Sequence, residues 1–227
     1  MLAFHNKPEL KDEYLARVRA HAAADEIIKG QYWQNGRGCA VGCTIHSDEH
    51  KDYETLLGIP MQLALIEDDL FENLPLAKAK LWPELFLNSI NVGADMSHVV
   101  SKFVVRVLGD SERGCIIHAK TPGSKAAIKS VINLYERKIK GDVVSAEEWE
   151  LTRCTAYATA HVAHVAYSDT DAAFAAYAAA TAANGAAVAT VVYTAYAAAG
   201  YTAAARVSHY EWMSDILIEE LKNASVS

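Results

Sequence analysis

The chain has 227 residues, with 21 Lys or Arg, 28 Asp or Glu and a formal net charge of −7 at pH 7. Such a length can bury a core without disulfides or a structural metal, and the negative balance argues against sequence-independent binding to nucleic acid, which needs an excess of Lys and Arg. Four cysteines spread along the chain, with no secretory signal ahead of the charged residues 5–19, lead us to expect a cytoplasmic protein.

Glycine and proline residues divide the first 141 residues into amphipathic segments. These divisions predict helices at about 8–29, 48–57, 60–73, 96–108 and 124–140. Pro8 fits the first turn of its helix because proline lacks the donor that a first turn leaves unused, and Ser47 is a candidate N-cap for the second helix. Only residues 114–118 (Gly-Cys-Ile-Ile-His) resemble a strand, and five residues cannot form a sheet alone.

The second half of the chain is rich in alanine. Between Arg153 and Arg206 the only charged side chains are Asp169 and Asp171, and close to half of the residues are alanine. Ser145 and the Glu three residues later have capping-box spacing, which marks a helix start. The pattern predicts helices at about 145–166, 169–183, 186–199 and 201–223.

Alanine favours helix formation, but its methyl group buries little area, so such helices are stable only when they pack closely. The predicted fold is therefore all-α: a multi-helix bundle with an alanine-rich, closely packed C-terminal helical layer. Its two parts are an amphipathic one (1–141) and an alanine-rich one (142–227), which can also form one continuous domain. Because an uncharged helical surface of this length must be covered, we also expect a homo-oligomer through the alanine-rich half.

Two other interpretations of the alanine-rich half are less favoured. Residues 186–205 are uncharged and long enough to cross a bilayer, but they lack the Leu, Ile and Phe that drive insertion and the flanking Lys/Arg cluster that sets orientation. We therefore expect no membrane association. Thr170 and Thr181, eleven residues apart, suggest an ice-binding surface, but that surface needs a longer regular series.

Residues 32–50 are the most unusual segment, with aromatic, amide, guanidinium, glycine, thiol and imidazole groups in close succession. A glycine-rich entry into a helix exposes N–H groups that suit an anion, Arg37 adds a bidentate donor, and the aromatic rings offer a flat surface. We predict a non-enzymatic binding protein for a small anionic or nucleotide-like ligand, without a cofactor. The predicted ligand-binding residues are Tyr32, Trp33, Asn35, Arg37, Gly38, Cys39, Gly42, Cys43 and Thr44.

The same glycines also have a structural interpretation. They would allow close packing, and the cysteines would then act as small buried hydrophobic residues. A phosphate-binding P-loop is a poor match, because the glycine spacing is wrong by one and Cys43 stands where lysine belongs. The residues alone leave the ligand site and the packing motif equally open.

A metal site is the alternative interpretation of this segment. Cys39, Cys43, His46 and His50 recur at i, i+4, i+7 and i+11, so a straight helix would spread them too far apart for one tetrahedral ion. A helix break at Ser47 would let them converge. The alternative function is then a metal-dependent enzyme that binds Zn or another transition metal through Cys43, His46 and His50. The additional oxygen ligands would come from Glu54 or from the acidic residues within 67–72.

Other candidate groups carry less information. His161 and His164 lie three residues apart in the alanine-rich half and are expected to be core histidines. The sequence has no nucleophile elbow, no Ser/His/Asp order and no dinucleotide fingerprint, so we predict no catalytic residues. The second alternative function is a structural or oligomerisation protein.

Four motifs carry a resemblance to a known family. They are Gly-Cys-Ala-Val-Gly-Cys-Thr-Ile-His-Ser at 38–47, Gly-Ile-Pro at 58–60, Glu-Asp with Phe-Glu within 67–72, and Tyr-Glu-Trp-Met-Ser-Asp-Ile-Leu at 210–217. With its alanine- and tyrosine-rich second half, the chain resembles an uncharacterised family of bacterial and bacteriophage proteins. The resemblance implies no established activity. It implies a phage or prophage setting, with the host cytoplasm as the location and capture of a host signalling molecule as one use.

Overall fold

The computed structural model describes residues 1–165, 170–182 and 203–226, and the predicted all-α class is confirmed. Within these ranges the only strands are β1 (Trp33–Gln34) and β2 (Arg37–Gly38), which pair antiparallel. A short 3₁₀-type turn, Ala3–Asn6, precedes the first helix. In chain order the helices are α1 (Pro8–Ala23), α2 (Ala40–Ile45), α3 (Asp52–Leu57), α4 (Met61–Asn73), α5 (Leu76–Ala79), α6 (Trp82–Ser89), α7 (Val99–Gly109), α8 (Cys115–His118), α9 (Pro122–Ile139), α10 (Ala146–Val165), α11 (Thr170–Ala182) and α12 (Ala203–Lys222).

The chain forms two compact units. The first comprises Met1–Val99 and Ser214–Ser227, and the second comprises Val100–Met213. This division differs from the predicted boundary at 141/142, which follows a change in composition. The amphipathic helix α9 packs against the alanine-rich helices α10 and α11, so the compositional boundary runs through a packed unit.

The first unit is built around α2. This helix packs against α1, α4 and α6, and all six of its residues are buried. Trp82, Phe71 and Phe86 are among the largest fully buried side chains of the unit. The helical part of the segment singled out in the sequence, residues 40–45, therefore lies in the core of this unit.

Three predicted elements differ from the structure. The helix expected at 48–57 with Ser47 as its N-cap begins at Asp52, and Lys51 occupies the N-cap position. The first helix was expected to reach about Lys29 but ends at Ala23, because Asp25 turns left-handed (φ +56°) and the chain then runs extended beside Gly38. Residues 114–118 are not strand-like: they form α8, after a tight turn in which the Asp110 side chain accepts hydrogen bonds from two backbone N–H groups.

The second unit contains the alanine-rich helices. The capping box at the start of α10 is confirmed, since Ser145 N–H donates to Glu148 (2.9 Å) and Glu148 N–H donates to the Ser145 hydroxyl (3.1 Å). His161 and His164 are exposed, so their expected place in the core is wrong: α10 buries a single stripe that passes through Ala156, Ala160 and Ala163.

Helix α11 is covered on several faces. The hydroxyl of Tyr135 on α9 donates to the carbonyl of Ala179 at 2.8 Å, which brings the two helices close together. The buried alanines of α11 are Ala172, Ala175, Ala176, Ala178, Ala179 and Ala180. Small side chains at these positions allow the close helix packing that the composition predicts.

Substitution by leucine tests this packing on α10. Ala160 is fully buried and packs with Ala163 and Phe174, whereas Ala158 is exposed on the same helix. We expect Ala160→Leu to lower the free energy of unfolding by about 1–3 kcal/mol through overpacking. Ala158→Leu should change it by less than about 0.5 kcal/mol, as is usual at the surface. Urea unfolding followed by circular dichroism measures both, and equal tolerance would contradict the packing.

Several predictions lie outside the described residues. They include the helix at 186–199 and most of the uncharged stretch at 186–205. Among the helices that the structure describes, none is both long and apolar enough to cross a bilayer. The homo-oligomer stays a prediction, which light scattering would contradict by giving a 24.7 kDa monomer at high concentration.

Candidate functional site

The hairpin β1–β2 opens the segment 32–50. Its turn residues Asn35 and Gly36 both have positive φ, +52° and +79°, as the two central residues of a type I′ turn require. Asn35 and Arg37 are exposed on this hairpin. Sequence analysis missed the hairpin, although Asn-Gly is a strong short-range hairpin signal.

Two glycines of the segment are required by close backbone contact. A Cβ added at Gly38 would lie 2.0 Å from the carbonyl oxygen of Tyr32, and one added at Gly42 would lie 1.7 Å from the same atom. Neither distance is physically accessible to a side chain. Both glycines therefore let the chain at Tyr32 lie directly on α2, which supports the packing interpretation for these two residues.

The backbone N–H groups at the start of α2 are engaged within the protein. Gly38 donates to the carbonyl of Glu26 (3.2 Å), and Cys39 donates to those of Gln31 (2.7 Å) and Tyr32 (3.1 Å). Gly42 N–H points to Cys39 Sγ at 3.5 Å. An anion at this helix start would have to displace these bonds.

The two cysteines of the segment are buried. Burial raises the pKa of Cys39, with a further contribution from the Asp68 carboxylate, and raises the pKa of Cys43 to about 12. The Cys43 thiol donates to the carbonyl of Gly38 at 3.3 Å. Both groups are thiols at neutral pH, whereas metal ligation and nucleophilic attack need the thiolate. Thr44 is also buried, and its hydroxyl donates to the carbonyl of Ala40.

The structure does not bring Cys43, His46 and His50 together. His46 is the C-cap of helix α2, and its backbone is left-handed (φ +55°). The His46 ring stacks on the Trp33 ring, with 4.4 Å between the centroids. His46 Nε2 lies 2.7 Å from Nε2 of His21. Among the described residues, no group of three or more His, Cys, Asp or Glu side chains has a geometry that could hold a metal ion.

His21 and His46 form a pair that shares one proton. The Nδ1–H of His21 donates to the Glu26 carboxylate at 2.7 Å, which leaves Nε2 of His21 to face Nε2 of His46. Only one of these two nitrogens can carry a proton at 2.7 Å. Burial, Arg17 and His21 all lower the pKa of His46, which favours its neutral form. Metal binding by this segment stays a prediction, which elemental analysis of untagged protein would test.

A cavity of about 330 Å³ lies beside the segment and is acidic. It is lined by Gly30, Gln31, Tyr32, Asp68 and Glu72. Glu72 accepts the N–H of Gly30 at 2.9 and 3.0 Å, and burial, followed by the Asp68 charge, raises its pKa. The nearby ammonium of Lys29 donates to the backbone carbonyls of Glu72 and Leu74 and not to the Glu72 carboxylate.

Asp68 is the most constrained group of this cavity. The residue is only 8% exposed, and its Oδ1 is buried with no hydrogen-bond partner among the described residues. Its Oδ2 lies 3.4 Å from Nε2 of His50, an ion-pair distance that does not meet hydrogen-bond geometry. A buried carboxylate oxygen without a partner is costly, so this atom calls for an explanation.

A third carboxylate of α4, Glu67, lies in the core. Glu67 is fully buried and accepts a hydrogen bond from the Tyr53 hydroxyl at 2.7 Å, while its backbone carbonyl accepts one from the Trp82 indole at 3.0 Å. Burial above all, together with the charge of Asp68, raises the pKa of Glu67 well above its ordinary range. Glu67 is therefore a neutral acid over a wider pH range than a surface glutamate.

The cavity includes few of the predicted ligand-binding residues. Tyr32 lines it, and the Asp68 carboxylate contributes to the raised pKa of Cys39. From the sequence, Asp68 and Glu72 were considered among the candidate oxygen ligands of a metal. Their i, i+4 spacing places them on one face of α4, and this is the signal that could have identified them as a pair.

Comparison with known proteins adds no assignment, since no protein-family model, curated protein or solved structure matches this chain. The resemblance to bacterial and bacteriophage proteins stays a prediction. Any function inferred for the site must therefore be argued from its geometry.

Proposed function

We propose that the protein is a binding protein for a small organic cation, an amine or a guanidinium, in the cavity beside Asp68 and Glu72. The observation that carries this proposal is Asp68, which lines the cavity and whose buried Oδ1 has no hydrogen-bond partner in the described part of the chain. Of the ligand-binding residues predicted from the sequence, Tyr32 is retained. The sign of the ligand charge is reversed, because two carboxylates line the cavity and the nearby amides are engaged.

The charges of the cavity favour a cation. A carboxylate withdrawn from water is stabilised when a donor of opposite charge reaches it, and an ammonium group has three donors for the oxygens of Asp68 and Glu72. The Lys29 ammonium is held by the backbone carbonyls of Glu72 and Leu74. Among the described residues, His50 is the basic side chain at ion-pair distance from these carboxylates, with its Nε2 3.4 Å from Asp68 Oδ2. The lining of the cavity contains two carboxylates and no lysine or arginine.

The walls of the cavity limit the size and shape of the ligand. Its volume of about 330 Å³ is at the lower end of small-molecule sites, which favours a ligand of few heavy atoms. The Tyr32 side chain is 52% exposed, and its ring packs edge-on against His50 at 5.4 Å between centroids. This exposed ring offers an aromatic surface to a cation.

Calorimetric titration with putrescine and with methylguanidine tests the proposal. A hydrogen bond to a buried charged group contributes about 1.5–3 kcal/mol, so Asp68→Asn should raise the Kd about 10- to 100-fold. Glu72→Gln should weaken binding in the same direction. Asp48→Asn removes an exposed carboxylate of the same unit and should leave the Kd unchanged.

Two results would contradict the cation site. One is the absence of any heat with both probes at millimolar concentration. The other is a nucleotide that binds wild-type protein and is lost when Trp33→Ala and Arg37→Ala are combined, which would favour the anionic ligand predicted from the sequence. Circular dichroism of each variant distinguishes loss of binding from loss of fold.

A further inference from the structure

A second cleft, of about 220 Å³, lies within the unit Val100–Met213. One side comes from the chain around α8, with Glu112, Arg113 and His118, and the other from the start of α12, with Ser208 and His209. Three of these five side chains are basic. The cleft is separate from the acidic cavity in sequence and in unit, and nothing in the proposed function uses it.

His209 is the unexplained group of this cleft. It is 3% exposed, and its Nε2 is buried without a hydrogen-bond partner in the part of the chain that the structure describes. Burial first, then the charges of Arg113 and His118, lower the pKa of His209 to about 4. A buried ring nitrogen that lines a cleft and lacks a partner indicates a missing ligand, since such atoms are normally satisfied.

Arg113 is held in position beside His209. Its Nη2 donates to the backbone carbonyl and to the hydroxyl of Ser208, both at 2.8 Å, and its guanidinium lies over the Trp212 ring at 5.4 Å from the centroid. Among the described residues, no carboxylate lies within ion-pair distance of it. The guanidinium is thus pre-oriented at the cleft while its charge is not neutralised by a direct partner.

We propose that this cleft is a binding site for a small oxyanion of the phosphate type. The guanidinium of Arg113 supplies a planar donor fork that matches two phosphate oxygens. His209, once protonated, supplies a donor from its Nε2, and the bound anion offsets the repulsion between the imidazolium and the charges of Arg113 and His118. Glu112, the one acidic residue that lines the cleft, opposes the anion.

Titration with inorganic phosphate near neutral pH, followed by calorimetry and by NMR of the histidine rings, tests the proposal. We expect saturable binding, a shift of the His209 ring signals and a rise of the His209 pKa in phosphate. Arg113→Gln should weaken binding at least tenfold. Glu112→Gln should strengthen it several-fold, because it removes the opposing charge. Lys129→Ala removes an exposed cation of the same unit and serves as the matched control.

Any one of three results overturns the proposal. The first is no saturable binding at 10 mM phosphate (roughly Kd above 10 mM). The others are unchanged His209 ring signals in phosphate and equal weakening of binding by Arg113→Gln and Lys129→Ala. The NMR measurement on wild-type protein stands even if an Arg113 variant folds poorly. Two further probes identify the kind of oxyanion: glycerol phosphate represents a phosphomonoester and acetate a carboxylate. Binding of inorganic phosphate or of glycerol phosphate supports the site. Binding of acetate alone overturns the proposal.

Discussion

Gly42→Ala is expected to lower the free energy of unfolding by about 3 kcal/mol or more, at the severe end of overpacking substitutions. The new methyl carbon would lie 1.7 Å from the Tyr32 carbonyl oxygen and 2.7 Å from its carbon. Both obstructing atoms belong to the backbone, so no change of rotamer relieves the clash. In an open helix the same substitution would be favourable by about 1 kcal/mol, so a loss of this size must come from the contact.

Gly36→Ala is the matched control for this substitution. Gly36 has φ +79°, but a Cβ there would meet nothing within 4 Å. Gly36→Ala should therefore lower the free energy of unfolding only by the left-handed backbone penalty of about 1–2 kcal/mol. Urea unfolding gives both values. A Gly42→Ala protein that is as stable as Gly36→Ala, or more stable, would show that the Tyr32 carbonyl does not lie on α2 and would remove the basis for the acidic cavity beside it.

The parts of the fold that sequence analysis predicted well depend on local interactions. The capping box of Ser145 and Glu148 and the start of α4 after Pro60 each involve residues within one turn of each other. Such signals are complete in the sequence. The packing of the alanine-rich helices is less local. Their composition predicts that they pack closely, but it does not indicate which helices pack against each other.

The end of α1 could not be predicted in the same way. Residues 24–29 contain no strong helix breaker before Gly30. They leave the helix because this part of the chain pairs with Gly38, which lies farther along the sequence. Ile28 N–H donates to the carbonyl of Gly38, and Gly38 N–H donates to that of Glu26. The stability of this arrangement depends on a tertiary contact, which overrides the helix propensity of the segment.

The chemistry of the candidate site was mispredicted for a related reason. The glycine-rich start of α2 has the composition of an anion site, but the Cys39 N–H already donates to the carbonyls of Gln31 and Tyr32. Asp68 and Glu72 look like surface residues in the sequence, and only the packing of α4 against α2 brings them toward Tyr32. A sequence shows which donors and acceptors exist, whereas the fold decides which of them remain available to a ligand.

The second large expected effect concerns the buried carboxyl of Glu67. Its pKa in the folded protein is raised by burial and by Asp68, and the hydrogen bond from Tyr53 opposes that rise only in part. The folded state therefore binds a proton at Glu67 more tightly than the unfolded chain, in which the pKa is about 4.3. This contribution to stability is fully present below the unfolded pKa. It is lost as the pH rises toward the raised folded pKa, with a slope of at most about 1.4 kcal/mol per pH unit.

Glu67→Gln isolates this effect, because glutamine keeps the shape of the acid, still accepts from Tyr53 and does not ionise. We expect the free energy of unfolding of the variant, relative to wild type, to increase steadily as the pH rises from about 4.5 and to level off above the folded pKa. Asp48→Asn, at an exposed carboxylate, should show no such trend. Chemical unfolding at a series of pH values measures the difference. A Glu67→Gln difference that stays constant between pH 4 and pH 8 would mean that Glu67 titrates like a surface glutamate. In that case water reaches this carboxyl through the cavity beside Asp68.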